Sequence, residues 1–322
     1  MPVKPRRTIA KPPACERLAS EIIEVKAADG WLLRAEIHEP EVARDHPLGV
    51  ALLAHGVMAG RSEFDRPAGR GVVRLLAERG WRVVTFDFRG HGDSEPPAGG
   101  RTRCTYDDLV TGDLPALHAF ARSRSPRKKP VILVGHSLGG HVALAAQGAG
   151  LVAFDGIAAI GSNIWLREFE PSPARWLVKR ATLAAALTLS RKIGRFPARA
   201  LGLGSDDENA SYLEDLVRYS RTGAWTSADG RMDYLASLGR VRVPVLQVVS
   251  QGDHLACVPE CGERFVARCG GPLETMRVSQ ADDGGPAPDH RALVTSERTR
   301  TIWHRIEGWM HRAVINTGSV LP

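Results

Sequence analysis

The chain has 322 residues, of which 43% are hydrophobic and 25% charged, a balance that excludes a disordered tail or a fibrous repeat. That length predicts a globular core in one large or two modest domains. Its 43 Lys and Arg against 36 Asp and Glu give a formal charge of +7, and its five cysteines are too few for a disulfide scaffold.

Part of the positive excess lies at the start. Lys4, Arg6, Arg7 and Lys11 precede the first acid, Glu16, among Pro2, Pro5, Pro12 and Pro13. Residues 1–20 read as a flexible basic tail, since a short basic run without interleaved aromatics is not a nucleic-acid arm. Cys15, Cys104, Cys257, Cys261 and Cys269 are odd in number and lack C-x-x-C spacing, which predicts free thiols in a reducing compartment. No apolar run approaches the ~18 residues of a membrane span, and no signal-peptide core is present. The expectation is a cytoplasmic protein.

The first core elements are extended. Glu21–Ala27 and Trp31–His38 read as a hairpin joined through Asp29-Gly30. Short continuous apolar runs follow at Val50–Ala54, Arg82–Phe86, Val131–Val134, Gly156–Ile160 and Val243–Val249, the pattern of strands buried on both faces. Between them Gly71–Arg79, Tyr106–Arg124 with Thr105 as cap, and Leu138–Ala149 read as helices. The alternation predicts an α/β fold with a mostly parallel central sheet flanked by helices.

It is interrupted after Ile160 for too long to be a loop, so residues 162–240 are expected to form an inserted helical cap. That divides the chain into a core of residues 21–161, the cap, and a second core part of residues 241–322. In the insert Ala174–Ser190 and Ala210–Thr222 read as helices and Phe196–Gly204 as irregular. A helix over Glu260–Arg268, a strand at Leu273–Val278 and a helix over Ser296–Val314 complete the pattern.

The chemical signal is Gly135-His136-Ser137-Leu138-Gly139-Gly140, a G-x-S-x-G between a buried strand and a helix. A turn this tight requires glycine two residues to either side of Ser137, and it lifts the hydroxyl above the carboxyl edge of the sheet. The N–H of Leu138, at the helix N-terminus, is a candidate oxyanion donor. Ala54-His55-Gly56-Val57-Met58 offers a second donor, the N–H of Val57 ahead of that of Met58.

A serine nucleophile needs a base, and the base a carboxylate. Asp253 follows the strand ending at Val249, and His290 lies in the loop before the last helix, so they are the candidate acid and base. Asp282, Asp283 and Asp289 lie in the same long loop as turn formers, and one of them, Asp282 and Asp283 first, stays open as a rival to Asp253. His254, His304, His311, His136 and His141 are assigned local packing or surface roles.

With these residues the chain resembles the α/β-hydrolase superfamily, serine-hydrolase branch, and within it the monoacylglycerol-lipase-like and serine-aminopeptidase-like members. Asp87-Phe88-Arg89-Gly90-His91-Gly92-Asp93-Ser94 resembles the family's D-x-R-G-x-G-x-S turn, which supports rather than reacts, with Arg89 expected to pair with a carboxylate. Matches run from Ile22 to Trp309 apart from the cap. The sequence departs from the family after Asp253, where His-Leu-Ala-Cys-Val-Pro is two residues longer than D-x-x-V-P, and in the extra Gly and Pro before His290.

The resemblance implies acyl transfer to water through an acyl-serine, with Ser137 as nucleophile, His290 as base, Asp253 as acid, and Val57 and Leu138 as the oxyanion hole. It implies no cofactor or metal and a small-molecule acyl substrate. A carboxylic ester with an apolar acyl group leads. Peptidase, thioesterase, lactonase, acyltransferase and a non-hydrolytic receptor stay open, and no nucleic-acid partner is expected.

From Arg167 to Arg199 eight basic residues face two acids, Glu168 and Glu170, around Trp165, Trp176 and an Ala/Leu-rich helix. Two readings stand: an amphipathic lid whose basic rim makes weak contact with a membrane surface or anionic substrate, or an ordinary cap helix with a solvated basic face.

Overall fold

The computed structural model describes residues 18–42, 46–94, 103–127 and 129–318. Most of the expected basic tail, with Cys15, lies outside them. Among the described residues eight strands form one sheet: β1 Ser20–Lys26, β2 Leu32–His38, β3 Val50–Ala54, β4 Arg82–Phe86, β5 Val131–His136, β6 Gly156–Ile160, β9 Val245–Ser250 and β10 Leu273–Val278. Their order is β1-β2-β4-β3-β5-β6-β9-β10. β1 pairs antiparallel with β2, and β2 with β4, while the others run parallel.

The apolar runs become central strands because both faces are covered. On β3, Val50, Leu52 and Ala54 enter one hydrophobic core while Ala51 and Leu53 enter the other, as period-two alternation dictates. One face carries α2 Tyr106–Asp108, α3 Leu114–Arg124 and α4 Leu138–Gly148. The other carries α1 Val72–Glu78 and α10 Arg300–Gly318.

Helical boundaries differ from the sequence reading in instructive places. The run expected over Tyr106–Arg124 is broken by a π turn, Leu109–Asp113, which lies where Gly112 packs against Arg89: a Cβ there would lie 2.8 Å from its Nη2. The last helix begins at Arg300, after the short α9 Ala292–Thr295 and a 3-10 turn at Glu297–Thr299. Pro259 at the first position starts α8 Pro259–Val266 one residue early.

Between β6 and β9 lie α5 Pro173–Ile193, the short ribbon β7 Arg195–Phe196 with β8 Glu208–Asn209, α6 Ala210–Thr222 and α7 Tyr234–Ser237. The region expected to be irregular therefore opens on a paired strand. The second half of this segment is anchored by aromatics: Tyr212, Tyr219, Trp225 and Tyr234 surround Tyr106, whose ring stacks on His141 at 5.6 Å. Among the described residues no helix is long and apolar enough to cross a membrane.

Candidate active site

Ser137 follows β5 at the entry to α4 and adopts φ 47°, ψ −109°, a positive-φ conformation that a non-glycine residue holds only when its surroundings impose it. Those surroundings are close. A Cβ on Gly135 would lie 2.5 Å from the Gly140 nitrogen, and one on Gly139 would run into the Ala54 carbonyl oxygen. Gly135 thus lets the strand meet the first turn of α4 and Gly139 lets that turn pack on β3, and the Ser137 N–H is fixed by donation to Ile160 O at 2.8 Å.

Asp253 follows β9 and is buried. Its Oδ2 accepts from Cys257 N–H at 2.8 Å and from His290 Nδ1 at 2.6 Å, and its Oδ1 accepts from Ala256 N–H at 2.8 Å and Leu255 N–H at 3.2 Å. Burial pushes the carboxyl up, but the His290 contact and these N–H groups outweigh it and hold it below the usual Asp value. The lengthened segment after Asp253 is thereby explained: its added residues wrap backbone donors around the carboxylate.

The loop to His290 is long but folded back on itself, with Gln280 bridged to Pro286 and Ala281 N–H bonded to Gly285 O at 3.1 Å. The rival acids are engaged elsewhere. Asp283 pairs with Arg298 at 2.8 Å, Asp282 accepts from Thr301 N–H at 2.8 Å, and Asp289 accepts from Ala292 N–H at 2.8 Å. His254 is exposed.

His290 sits against Gly161, where a Cβ would meet its ring at 3.1 Å, and its ring centroid is 4.8 Å from that of His136, the residue before Ser137. Ser137, His290 and Asp253 thus share the carboxyl edge of the sheet. With Nδ1–H given to Asp253, His290 Nε2 is left as a proton acceptor.

The turn after β3 supplies the other half. His55 is buried, which pushes its imidazole pKa down; Nδ1 donates to Gly56 O at 2.8 Å and Nε2 accepts Phe88 N–H at 3.0 Å. Met58 also has positive φ, 58°, and its N–H donates to Glu208 at 3.3 Å. Among the described residues no acceptor is paired with the N–H of Val57 or of Leu138. A strained serine beside two free N–H groups and a carboxylate-held imidazole can carry acyl transfer.

Two buried ion pairs near the site were not foreseen. Glu63, in a 3-10 turn at Arg61–Asp65, places Oε1 3.1 Å from His136 Nδ1 and accepts Gly56 N–H through Oε2 at 2.8 Å. His136 in turn donates from Nε2 to the His290 carbonyl at 3.0 Å. Burial opposes both charges, yet the pairing prevails: the Glu63 carboxyl falls to about 2 and the His136 imidazole rises. This pair ties the turn carrying Val57 to the backbone of His290.

The second joins His91 Nε2 to Glu208 of β8 at 3.1 Å. Burial works against the charged imidazole, but Glu208 carries it up to about 9. Because Glu208 also accepts from Met58 N–H, the ribbon is tied to the same turn. No local motif marks Glu63 or Glu208; their partners are far away in sequence. The Asp87–Ser94 turn supports as expected: Arg89 pairs with Asp113 at 2.6 Å and with Asp29 at 2.7 Å, and Ser94 Oγ donates to Asp87 O.

A model of the alpha/beta hydrolase family matches residues 51–310. A putative aryl esterase from Burkholderia cenocepacia superposes with a TM-score of 0.58 at 16% identity, covering 91% of this chain and 99% of that one. An esterase from Pyrococcus furiosus superposes with a TM-score of 0.61 at 18% identity, covering 96% of each. Lysophosphatidylserine lipase ABHD12 of Danio rerio is 35% identical over 109 residues, 34% of this chain and 25% of that protein. The match thus spans a quarter of that relative's length.

Proposed function

The chain belongs to the alpha/beta hydrolase family, and from that premise we propose that it is a serine hydrolase of carboxylic esters with a lipid-like or other apolar acyl group. In this mechanism His290 Nε2 removes the Ser137 proton as Oγ attacks the ester carbonyl. The N–H groups of Val57 and Leu138 hold the tetrahedral oxyanion, with the positive end of α4 behind the second. His290 then protonates the leaving alcohol, and water activated by the same base releases the acid from Ser137. Asp253 keeps the imidazole in the right tautomer and stabilises its charged form. No cofactor takes part.

The observation that carries this reading is the 2.6 Å contact between His290 Nδ1 and an Asp253 carboxylate ringed by N–H donors. The segment between β6 and β9 is proposed as the cap that sets specificity. The free thiols of Cys104, Cys257, Cys261 and Cys269 support a reducing compartment, and the cytoplasm is the proposed location.

The test is turnover of p-nitrophenyl esters by Asp253→Asn and Asp283→Asn. The first is expected to lower kcat by ~10³–10⁴-fold and the second to leave it within about twofold. Equal losses, or a loss at Asp283 alone, would overturn the assignment. A panel of esters, thioesters, lactones and aminoacyl amides then fixes the bond type, with short-to-medium apolar esters expected to turn over fastest.

A further inference from the structure

Helix α5 is turned against its own composition. Lys179 is 1% exposed and Ser190 is fully buried, on the inward face with Leu183, Ala186 and Leu187. Outward, Leu177 is 68% and Val178 51% exposed, Arg180 stands exposed at the margin, and beside them lie the exposed uncharged Ala174, Ala181, Ala184, Ala185 and Thr188. The 3.6-residue period makes the uncharged positions one stripe along about four turns. Beyond the helix, Ile193, Leu201 and Leu203 continue the exposed apolar surface.

The inward lysine is fixed by its partners. Lys179 Nζ meets Glu170 at 2.9 Å and lies 5.2 Å from the Trp165 ring centre, and Glu170 also pairs with Arg175 at 2.7 Å. The orientation of α5 is therefore held by buried charge, and its apolar face is held outward.

The charges around that face are of one sign. From residue 171 to 204 there are seven Lys and Arg and no Asp or Glu. Arg175 and Lys179 serve Glu170, Arg191 pairs with Glu214 and Arg195 with Asp207. Arg180, Lys192 and Arg199 are exposed and have no ion pair among the described residues.

We propose that the outward face of α5, with the basic turn that follows it, docks on an anionic phospholipid surface. An apolar stripe beside unpaired cations matches a layer whose acyl region is apolar and whose headgroups are negative. A second copy of this chain would bring like charges together across the contact. The face also leads to the site: Gly204, next to Leu203, packs on Met58, where a Cβ would lie 2.6 Å from the Met58 Cβ, and Asp206 N–H bonds Met58 O at 3.0 Å. Docking there places the turn that carries Val57 close to the lipid layer. The inference stands independently of the acyl chemistry above.

The test is flotation of the full chain with phosphatidylcholine vesicles and with vesicles also containing phosphatidylserine. The wild type is expected to float with the second at least about tenfold more tightly than with the first, with affinity falling as salt is raised. The pair Lys192→Glu with Arg199→Glu is expected to remove that preference. The pair Leu177→Ser with Val178→Ser is expected to weaken binding to both by about tenfold or more. Both pairs should turn over a soluble ester at the wild-type rate, which reads fold and site separately. Failure of the wild type to float with anionic vesicles, or flotation unchanged in both pairs, overturns the proposal. So does a wild-type dimer, seen by light scattering, that Leu177→Ser with Val178→Ser dissociates, since a second copy would then cover the face.

Discussion

On β3 all five side chains are apolar and buried, whereas on α5 the inward positions include Lys179 and Ser190 and the outward ones Leu177 and Val178. The first arrangement follows from folding alone: apolar surface leaves water, at roughly 25 cal/mol per Å². The second does not, because burying a lysine requires a partner and exposing leucine gains nothing for the fold. Where folding does not dictate polarity, what the surface meets does. The site lies between these regimes, its geometry set by the sheet and its turn tied by Glu208 to the segment that includes α5.

The largest effect is expected at the site. His290→Ala should lower kcat on a soluble ester by ~10⁴-fold or more in a protein that still folds by circular dichroism. A variant retaining activity within tenfold would remove His290 from the chemistry.

Next in size is the buried pair behind the elbow. Glu63→Ala leaves the His136 charge without its partner and should cost ~3–5 kcal/mol by urea unfolding. It should also reduce kcat through the Gly56 N–H it releases, and a stability within about 1 kcal/mol of wild type would show the pair to be unimportant.

The third contrast sets one leucine against another. Leu52→Ala, in the middle of β3, is expected to destabilise by about 2–5 kcal/mol, and Leu177→Ala by no more than about 0.5 kcal/mol. Equal costs would mean that α5's outer face is buried in solution.

A further contrast is a pH dependence. The His91 imidazole is raised from 6.5 to about 9 by Glu208, with Asp206 and His55 as its other titratable neighbours. A raised pKa gives stability that is complete below about 6.5 and lost as pH rises through about 9. Thermal melts of wild type should therefore decline across that window, and His91→Gln should flatten this part of the decline. Parallel curves would show that the charged pair contributes nothing.

What the sequence makes legible follows from range. Buried runs such as Val131–Val134, and the glycines around Ser137, are local signals, and they carry the fold and the elbow. The proposal of Asp253 as acid and His290 as base rests on their places after strands, although the spacing departs from the family's. Only the structure shows why the added residues leave the contact intact: they donate N–H groups to Asp253 or fold back between Gln280 and Pro286. The Glu63–His136 and His91–Glu208 pairs, and the facing of α5, depend on partners from other elements and have no periodic or motif signature. A helical wheel for α5 would place Lys179 outward, since Glu170 and Trp165 are not on it.

An activated serine at the elbow is tested by reaction with a fluorophosphonate followed by mass spectrometry of the digested protein. One adduct on Ser137 is predicted, absent in Ser137→Ala and strongly slowed in His290→Ala. A folded wild type that takes up no probe, or an adduct that persists in Ser137→Ala, would contradict it.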